Sequence, residues 1–390
     1  MHVNDRRIRV GDTSEGEKMI KSKKLLALGM VAALGFAACG SDDDDSGSET
    51  TDAPTETEAP AGTEAPEGTE APAGTDGEAA EGDVTVGVIY DITGRGDRSF
   101  NDAAGAGLDQ AKAELGVTGL ESTPTGDGDR AQRVQGVVDE GAGLAVGVGF
   151  LFGDAITSAS ADNPDTSFAI VDSVVEADNV ASLVFAEEQG SFLVGAAAAL
   201  KSQSGIIGFI GGVENDLIKK FEAGYVAGAE AVNPDIEILV NYITQPPDFG
   251  GFNDPARGKE IAAAQYEADA DVIYSAAGSS GLGAFEAAAE AGEPGEVWAI
   301  GVDSDQYNLV APEIQPYILT SMLKKVDVAV FDTIAAYADG SFEGGVQVFD
   351  LASDGVGYST SGGFVDDITG DLDGFAEQIV AGDIEVPTAP

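Results

Sequence analysis

One strand–loop–helix pattern occurs twice in this sequence, and it commits the folded part to an α/β arrangement. Val84-Thr-Val-Gly-Val-Ile-Tyr90 is a β-branched apolar run of strand length, with Asp91 at its carboxyl end. A Gly-rich loop follows, and Ser99-Phe100-Asn101-Asp102 opens a helix read from Ala103, Ala104, Leu108, Ala111 and Leu115. The pattern returns at 204–211, an apolar strand, with a loop at 212–216 and a helix expected over 219–231. Phe100 stands 14 residues after Val86, and Phe221 stands 15 after Ile206. Runs that are apolar throughout, rather than alternating, suit strands buried on both faces of a parallel sheet. Such sheets bind ligands beyond the carboxyl ends of their strands. Asp91, Ser99, Phe100 and Asn101 are therefore expected along a crevice. The plainer reading leaves Asp91 as a strand end and Ser99 or Asn101 as a helix cap.

Between and after these units the alternation continues. Strands are expected at 144–149, 167–172, 180–185, 237–243, 271–275, 297–302 and 317–321. Helices are expected at 131–140, 154–160, 189–202, 255–268, 283–291 and 372–380. Two strand-end loops should approach the crevice: Gly149-Phe150-Leu151-Phe152-Gly153-Asp154, and Ala276-Ala-Gly278-Ser-Ser-Gly-Leu-Gly283. The second is rich in backbone donors but lacks the lysine of a phosphate-binding P-loop, and no GxGxxG dinucleotide fingerprint is present. Asp303 and Asp305 end one strand, and Lys324 follows another; a solvated turn would explain each as simply. About 307 residues, from 84 to 390, are enough for two lobes.

Residues 1–18 fit no targeting pattern, and Met19 reads as the working start. Met19-Ile-Lys-Ser-Lys-Lys24 is a basic n-region and 25–38 an apolar run too short to span a bilayer, so 19–38 reads as a signal peptide. It ends in Phe36-Ala37-Ala38-Cys39, which resembles a bacterial lipobox with Phe36 where Leu usually stands. Cys39 is thus the expected lipidation site and membrane anchor. Residues 39–83, with Asp42 to Asp45 and repeats of Thr-Glu-Ala-Pro, cannot bury a core and read as an acidic, extended tether.

Loss of residues 1–38 leaves 12 basic against 65 acidic residues, a net charge of −53. That surface repels nucleic acid and disfavours polyanionic ligands, nucleotide phosphates among them. The only histidine is His2 and the only cysteine Cys39, so the folded part holds neither. Histidine acid–base chemistry, thiol nucleophiles, disulfides and His/Cys metal sites are excluded there. No metal and no cofactor are expected.

Taken together, several short patterns in order resemble the basic membrane lipoprotein family of bacterial substrate-binding proteins, from Val84 to about Pro387. They are Ser99-Phe100-Asn101, Gly147-Val-Gly-Phe150, Asn163-Pro-Asp-Thr-Ser-Phe168, Gly208-Phe-Ile-Gly-Gly212, Phe221-Glu-Ala-Gly-Tyr225, Asn253-Asp-Pro-Ala256, Gly301-Val-Asp-Ser-Asp-Gln306 and Thr320-Ser-Met-Leu-Lys324. The resemblance implies a type I periplasmic-binding-protein fold, two Rossmann-like lobes joined by a three-part hinge. It places 84–186 with 303–325 in the first lobe and 187–302 with 326–387 in the second. It also implies a monomer that closes over a nucleoside, a purine nucleoside above all, and hands it to an ABC transporter permease. Phe100 and Phe221 would stack on the base and Asn101 would read its edge. Asp303 and Lys324 would hold the ribose, with Asp91, Ser99, Phe150 and Gly278 nearby. One departure is that Gly96-Asp97-Arg98 stands where many relatives have Asp-Asp-Lys.

Two other classes compete. A lipid-anchored sensor subunit would use the same pocket with a signalling partner. A secreted hydrolase would pair two carboxylates, such as Asp91 and Asp303, for acid–base work, though no local motif supports it.

Overall fold

The computed structural model describes residues 84–390, apart from Asp127, together with the backbone of residues 8–10. The signal peptide, Cys39 and the tether expected at 19–83 lie outside the described residues, as does the N-terminal extension except for residues 8–10. In chain order the elements are β1 (Ile8–Val10), β2 (Thr85–Ile89), α1 (Phe100–Leu115), β3 (Thr118–Ser122), α2 (Arg130–Asp139), β4 (Leu144–Gly147), α3 (Gly153–Asp162), β5 (Ser167–Val171) and β6 (Val180–Phe185). There follow α4 (Glu187–Lys201), β7 (Ile206–Val213), α5 (Asp216–Val232), β8 (Glu237–Thr244), α6 (Pro255–Glu267), β9 (Val272–Ala276), α7 (Gly281–Ala291) and β10 (Trp298–Asp303). The last are β11 (Ile318–Lys324), α8 (Val326–Ala338), β12 (Gly345–Phe349), β13 (Val356–Tyr358) and α9 (Thr369–Ala381).

They form two sheets. The first runs β12-β6-β5-β4-β2-β3 and is parallel throughout. The second runs β1-β8-β7-β9-β10-β11-β13, with only β13 antiparallel to its neighbour. The continuous apolar runs have the expected cause, since helices cover both faces. Val86 and Val88 pack with Ala104 and Leu108 of α1, while Ile89 and Ala145 pack with Val134 and Val137 of α2.

In each sheet the first strand of the lobe, β2 or β7, lies between the second and third, so the strand order reverses beside it. Crevices form at such switch points, beyond the strands' carboxyl ends. That is where the loops after β2, β4, β7 and β9 meet.

The crossings between lobes differ from the expected division. The chain passes at Phe185–Glu187, at Lys324–Val326 and in the turn between β12 and β13. Residues 303–325 were expected in the first lobe, but β11 pairs with β10 and completes the second sheet. Residues 326–349 were expected in the second, but α8 packs on α1 and β12 pairs with β6. The reason is steric and local: Gly107 of α1 lets the α8 backbone approach so closely that a Cβ there would lie 2.3 Å from the Asp327 carbonyl. The same device joins α4 to α5, where Cβ atoms at Gly224 and Gly228 would lie 2.1 and 1.9 Å from the carbonyls of Glu188 and Phe192.

Candidate functional site

The loop between β2 and α1 is folded around one buried carboxylate. Asp97 Oδ1 accepts the backbone N–H groups of Ser99 (3.0 Å) and Asp102 (3.1 Å); Oδ2 accepts the backbone and amide N–H groups of Asn101, both at 2.9 Å. Burial pushes the Asp97 carboxyl up, and these bonds oppose the push. Asp102 closes the loop from the other side by accepting from Gly96 N (2.8 Å) and Arg98 N (2.9 Å). Gly94, Gly96 and Arg98 take positive φ in the tight path that results. Phe100 is then presented to the crevice as the first residue of α1.

Asn101 is part of this scaffold. Its Nδ2 donates to Thr93 Oγ1 (2.7 Å) and to Asp97, and its Oδ1 accepts from Asp91 N (2.9 Å). Both amide hydrogens are therefore committed to the loop, which leaves neither for the base-edge contact expected from the resemblance. Ser99 stands at the N-cap position without capping through its side chain. Its Oγ instead crosses to the other lobe and donates to Asp303 Oδ2 at 2.6 Å.

The facing lobe supplies Leu217, Ile218 and Phe221 from α5, Phe249 and Phe252 from the loop after β8, Ala276 from the end of β9 and Gly278 from the loop that follows it. Val302 and Asp303 come from the end of β10, and Lys324 from the end of β11. With Asp91, Phe100, Asn101, Phe150 and Asp172 of the first lobe, these residues line one cleft between the lobes. Its lining, mostly apolar with a few convergent polar groups, has the character of a small-molecule site. Phe150 meets Phe249 edge-on at 5.9 Å between centroids. Besides the Ser99–Asp303 bond, Ser304 Oγ donates to Ser99 O (3.1 Å) and Gln306 Nε2 to Arg98 O (2.9 Å). The lobes are thus joined along one rim.

Asp172 and Asp303 end corresponding strands of the two lobes in the left-handed region, at φ 66° and 63°. That conformation is uncommon outside glycine and turns each side chain off the strand line. Burial pushes both carboxyls up to about 6, against the pull of Lys324. Lys324 is 1% exposed and pairs with Asp172 at 2.6 Å and Glu187 at 3.1 Å. Burial opposes its charge, but Asp172, Glu187 and Asp303 together raise its pKa. Its ammonium also lies 5.3, 5.0 and 5.6 Å from the rings of Phe100, Phe185 and Phe221. Lys324 therefore acts from the hinge, between the two expected stacking rings.

Eight of the nine residues singled out from sequence line this one cavity, and Ser99 lies behind it. Phe249, Phe252, Leu217 and Asp172 were not singled out. The available signal for the two phenylalanines was an aromatic pair in a Pro/Gly loop at the carboxyl end of a parallel strand. Phe100 and Phe221 are not equivalent along their helices, since α5 starts five residues before Phe221. Among the described residues no group of three or more His, Cys, Asp or Glu side chains could hold a metal ion. None of their helices is long and apolar enough to cross a membrane.

Comparison with known proteins gives the family and the fold. Residues 84–389 match the family model described as "ABC transporter substrate-binding protein PnrA-like". The "ABC transporter nucleoside-binding protein BmpA" of Lactococcus lactis is 37% identical, over 70% of this chain and 81% of its own. "Basic membrane protein A" of Borreliella burgdorferi is 32% identical over 75% and 84%. Among solved structures, an ABC transporter solute-binding protein of Aeropyrum pernix superposes with a TM-score of 0.69 at 28% identity, covering 78% of this chain and 93% of that one. The chain belongs to the PnrA-like family of ABC transporter substrate-binding proteins.

Proposed function

We propose that this protein is anchored outside the cell membrane through a lipid on Cys39, captures a purine nucleoside between its lobes and delivers it to an ABC importer. The observation that carries the reading is the lining of the cleft: five phenylalanines (100, 150, 221, 249 and 252) surround a cavity whose polar groups are mainly carboxylates. Such a lining favours a flat, neutral ring whose polar atoms donate hydrogen bonds. It disfavours a phosphate, because the two basic groups nearby are already paired, Lys324 with Asp172 and Glu187, and Arg130 with Asp91.

In this reading Phe100 and Phe221 clasp the base from opposite lobes. Asp303 keeps Oδ1 for the vicinal hydroxyls of the ribose, since its other oxygen takes the Ser99 hydroxyl. Lys324 fixes Asp172 and Asp303 electrostatically and closes the floor of the cavity. The edge of the base faces Asp91 in place of Asn101. The nucleoside-binding relative from Lactococcus lactis supports the ligand class. Mass spectrometry of the small molecules released when the purified protein is denatured tests it. A nucleoside is expected; a sugar, peptide or phosphorylated nucleotide in its place would overturn it.

A further inference from the structure

Asp91 has two carboxylate oxygens in different situations. Oδ1 accepts Ile92 N (2.7 Å) and Arg130 Nη2 (3.0 Å). Oδ2 has no hydrogen-bond partner among the described residues and lies over Gly149, where an added Cβ would come within 3.4 Å of it and 3.6 Å of the Phe100 ring edge. Gly149 has φ 111°, so the absence of a side chain there is required by the backbone as well. One oxygen is tied down and the other faces the cavity beside the ring of Phe100.

Arg130 is the first residue of α2, and its side chain is 8% exposed. Its guanidinium carbon also lies 5.7 Å from the centroid of the Phe152 ring, which is fully buried beneath the Phe150 turn. A single planar cation thus touches the strand-end loops after β2 and after β4, the two that meet at the switch point of the first lobe. A lysine ammonium can pair with a carboxylate and approach a ring, as Lys324 does, but it is a point charge with freely turning donors, whereas the planar guanidinium directs its N–H groups along fixed lines.

We infer that Arg130 is a positioning residue for ligand selection: by holding Oδ1 of Asp91 against the Phe152 turn, it aims Oδ2 at the N–H donors on the edge of the bound base. The inference rests on the nucleoside reading above. Every part of the device belongs to the first lobe, so the acceptor is set before the lobes close. It selects for rings that carry an N–H on that edge, and Arg130 exerts this without touching the ligand.

The test compares nucleosides that differ only at that edge. Adenosine and guanosine carry base N–H donors; purine riboside has the same ring system and ribose with none. Binding of all three is measured by calorimetry on the full chain for wild type, Arg130→Met, Arg130→Lys and Asp91→Asn. A hydrogen bond to a charged group corresponds to about a tenfold or larger change in affinity. Wild type should prefer at least one donor-bearing nucleoside over purine riboside by that factor. Arg130→Met should erase the preference with purine riboside affinity changed less than about threefold, within the net range of a neutral hydrogen bond, and Asp91→Asn should erase the preference too. Arg130→Lys should retain only part of the preference, and serves as the second variant should the methionine variant fold poorly. Equal losses for all three nucleosides would show Arg130 to be merely structural. An undiminished preference in both arginine variants would also overturn the inference, while leaving the nucleoside reading intact. Failure of wild type to bind any of the three would overturn the nucleoside reading, and the inference with it.

Discussion

Replacing Asp303 by Asn separates what a buried carboxylate does for the ligand from what it does to the fold. The substitution keeps the shape and an acceptor for the Ser99 hydroxyl, and removes the charge. Asp303 is only 9% exposed, and burial raises its carboxyl from 3.8 to about 6 despite the opposing pull of Lys324 and Ser99. The folded state therefore holds this proton more tightly than the unfolded chain. The stabilisation that follows is complete below about pH 3.8 and is lost as pH rises through about 6, a change of about 3 kcal/mol for a shift of this size. At pH 7.5 the ligand-free variant should be more stable than wild type by up to about 3 kcal/mol, or several degrees in Tm. Near pH 4.5 most of that advantage should vanish. Asp172 titrates in the same range and the Asp303 charge helps to raise it, so the difference between the two proteins includes relief of that repulsion, which acts in the same direction. Binding should move the opposite way. At pH 7.5 the variant should lose about 1.5–3 kcal/mol of nucleoside affinity, while affinity for the free base barely changes. Wild-type affinity should itself fall about tenfold for each pH unit below 6, as the acceptor protonates. Thermal melts at the two pH values, with calorimetry against nucleoside and base, check both arms. A stability difference independent of pH would refute the argument that burial penalises the charge. Equal binding losses for nucleoside and base would refute the ribose assignment.

Three further outcomes are expected. Phe100→Ala should weaken nucleoside binding with little change in the ligand-free melting temperature, because the ring is half-buried at the cavity wall. Phe221→Ala should do both, since this ring is 3% exposed and packs in the core, and Phe→Ala in a core costs about 3–5 kcal/mol; calorimetry and melts on each variant read the contrast. Gly228→Ala should destabilise the second lobe by about 1–3 kcal/mol, measured by urea unfolding, because the new Cβ would meet the Phe192 carbonyl at 1.9 Å. Cys39→Ser should abolish lipid labelling and release the protein from membranes, as fractionation of labelled cells would show.

Where the sequence could be read, the signal was local. The strand at 180–185 and the helix starting at Pro255 were legible because apolar runs and caps lie within one stretch of chain. Helix α8 was not, since Val326-Asp-Val-Ala-Val330 alternates with the period of a strand, and its seat against Gly107 of α1 exists only in the folded chain. The weak edge strand β3, with Gly119 as its second residue and half-exposed or exposed side chains, gave no apolar run to detect. Lobe membership after residue 303 was equally hidden, because the partner of a strand is a fact of the sheet. Phe100, Asp91 and Gly278 could be placed at the site because a strand end followed by a loop is a local pattern. The aim of Asn101 could not, because its three partners, Asp91, Thr93 and Asp97, become neighbours only when the loop closes on Asp97.

The glycine-mediated seat of α5 on α4 has a consequence for changing what this protein carries. Phe221 rides on a helix fixed by contact between backbones, with Gly224 and Gly228 against the carbonyls of Glu188 and Phe192. Main-chain atoms cannot be trimmed or enlarged by substitution, so that face offers no gradual adjustment, only a fit or a collision. Redesign for a bulkier or smaller cargo therefore cannot proceed by sliding the ring through compensating core changes. It has to exchange the groups on the cleft side, at 217, 221, 249 and 252, on a mounting that stays put.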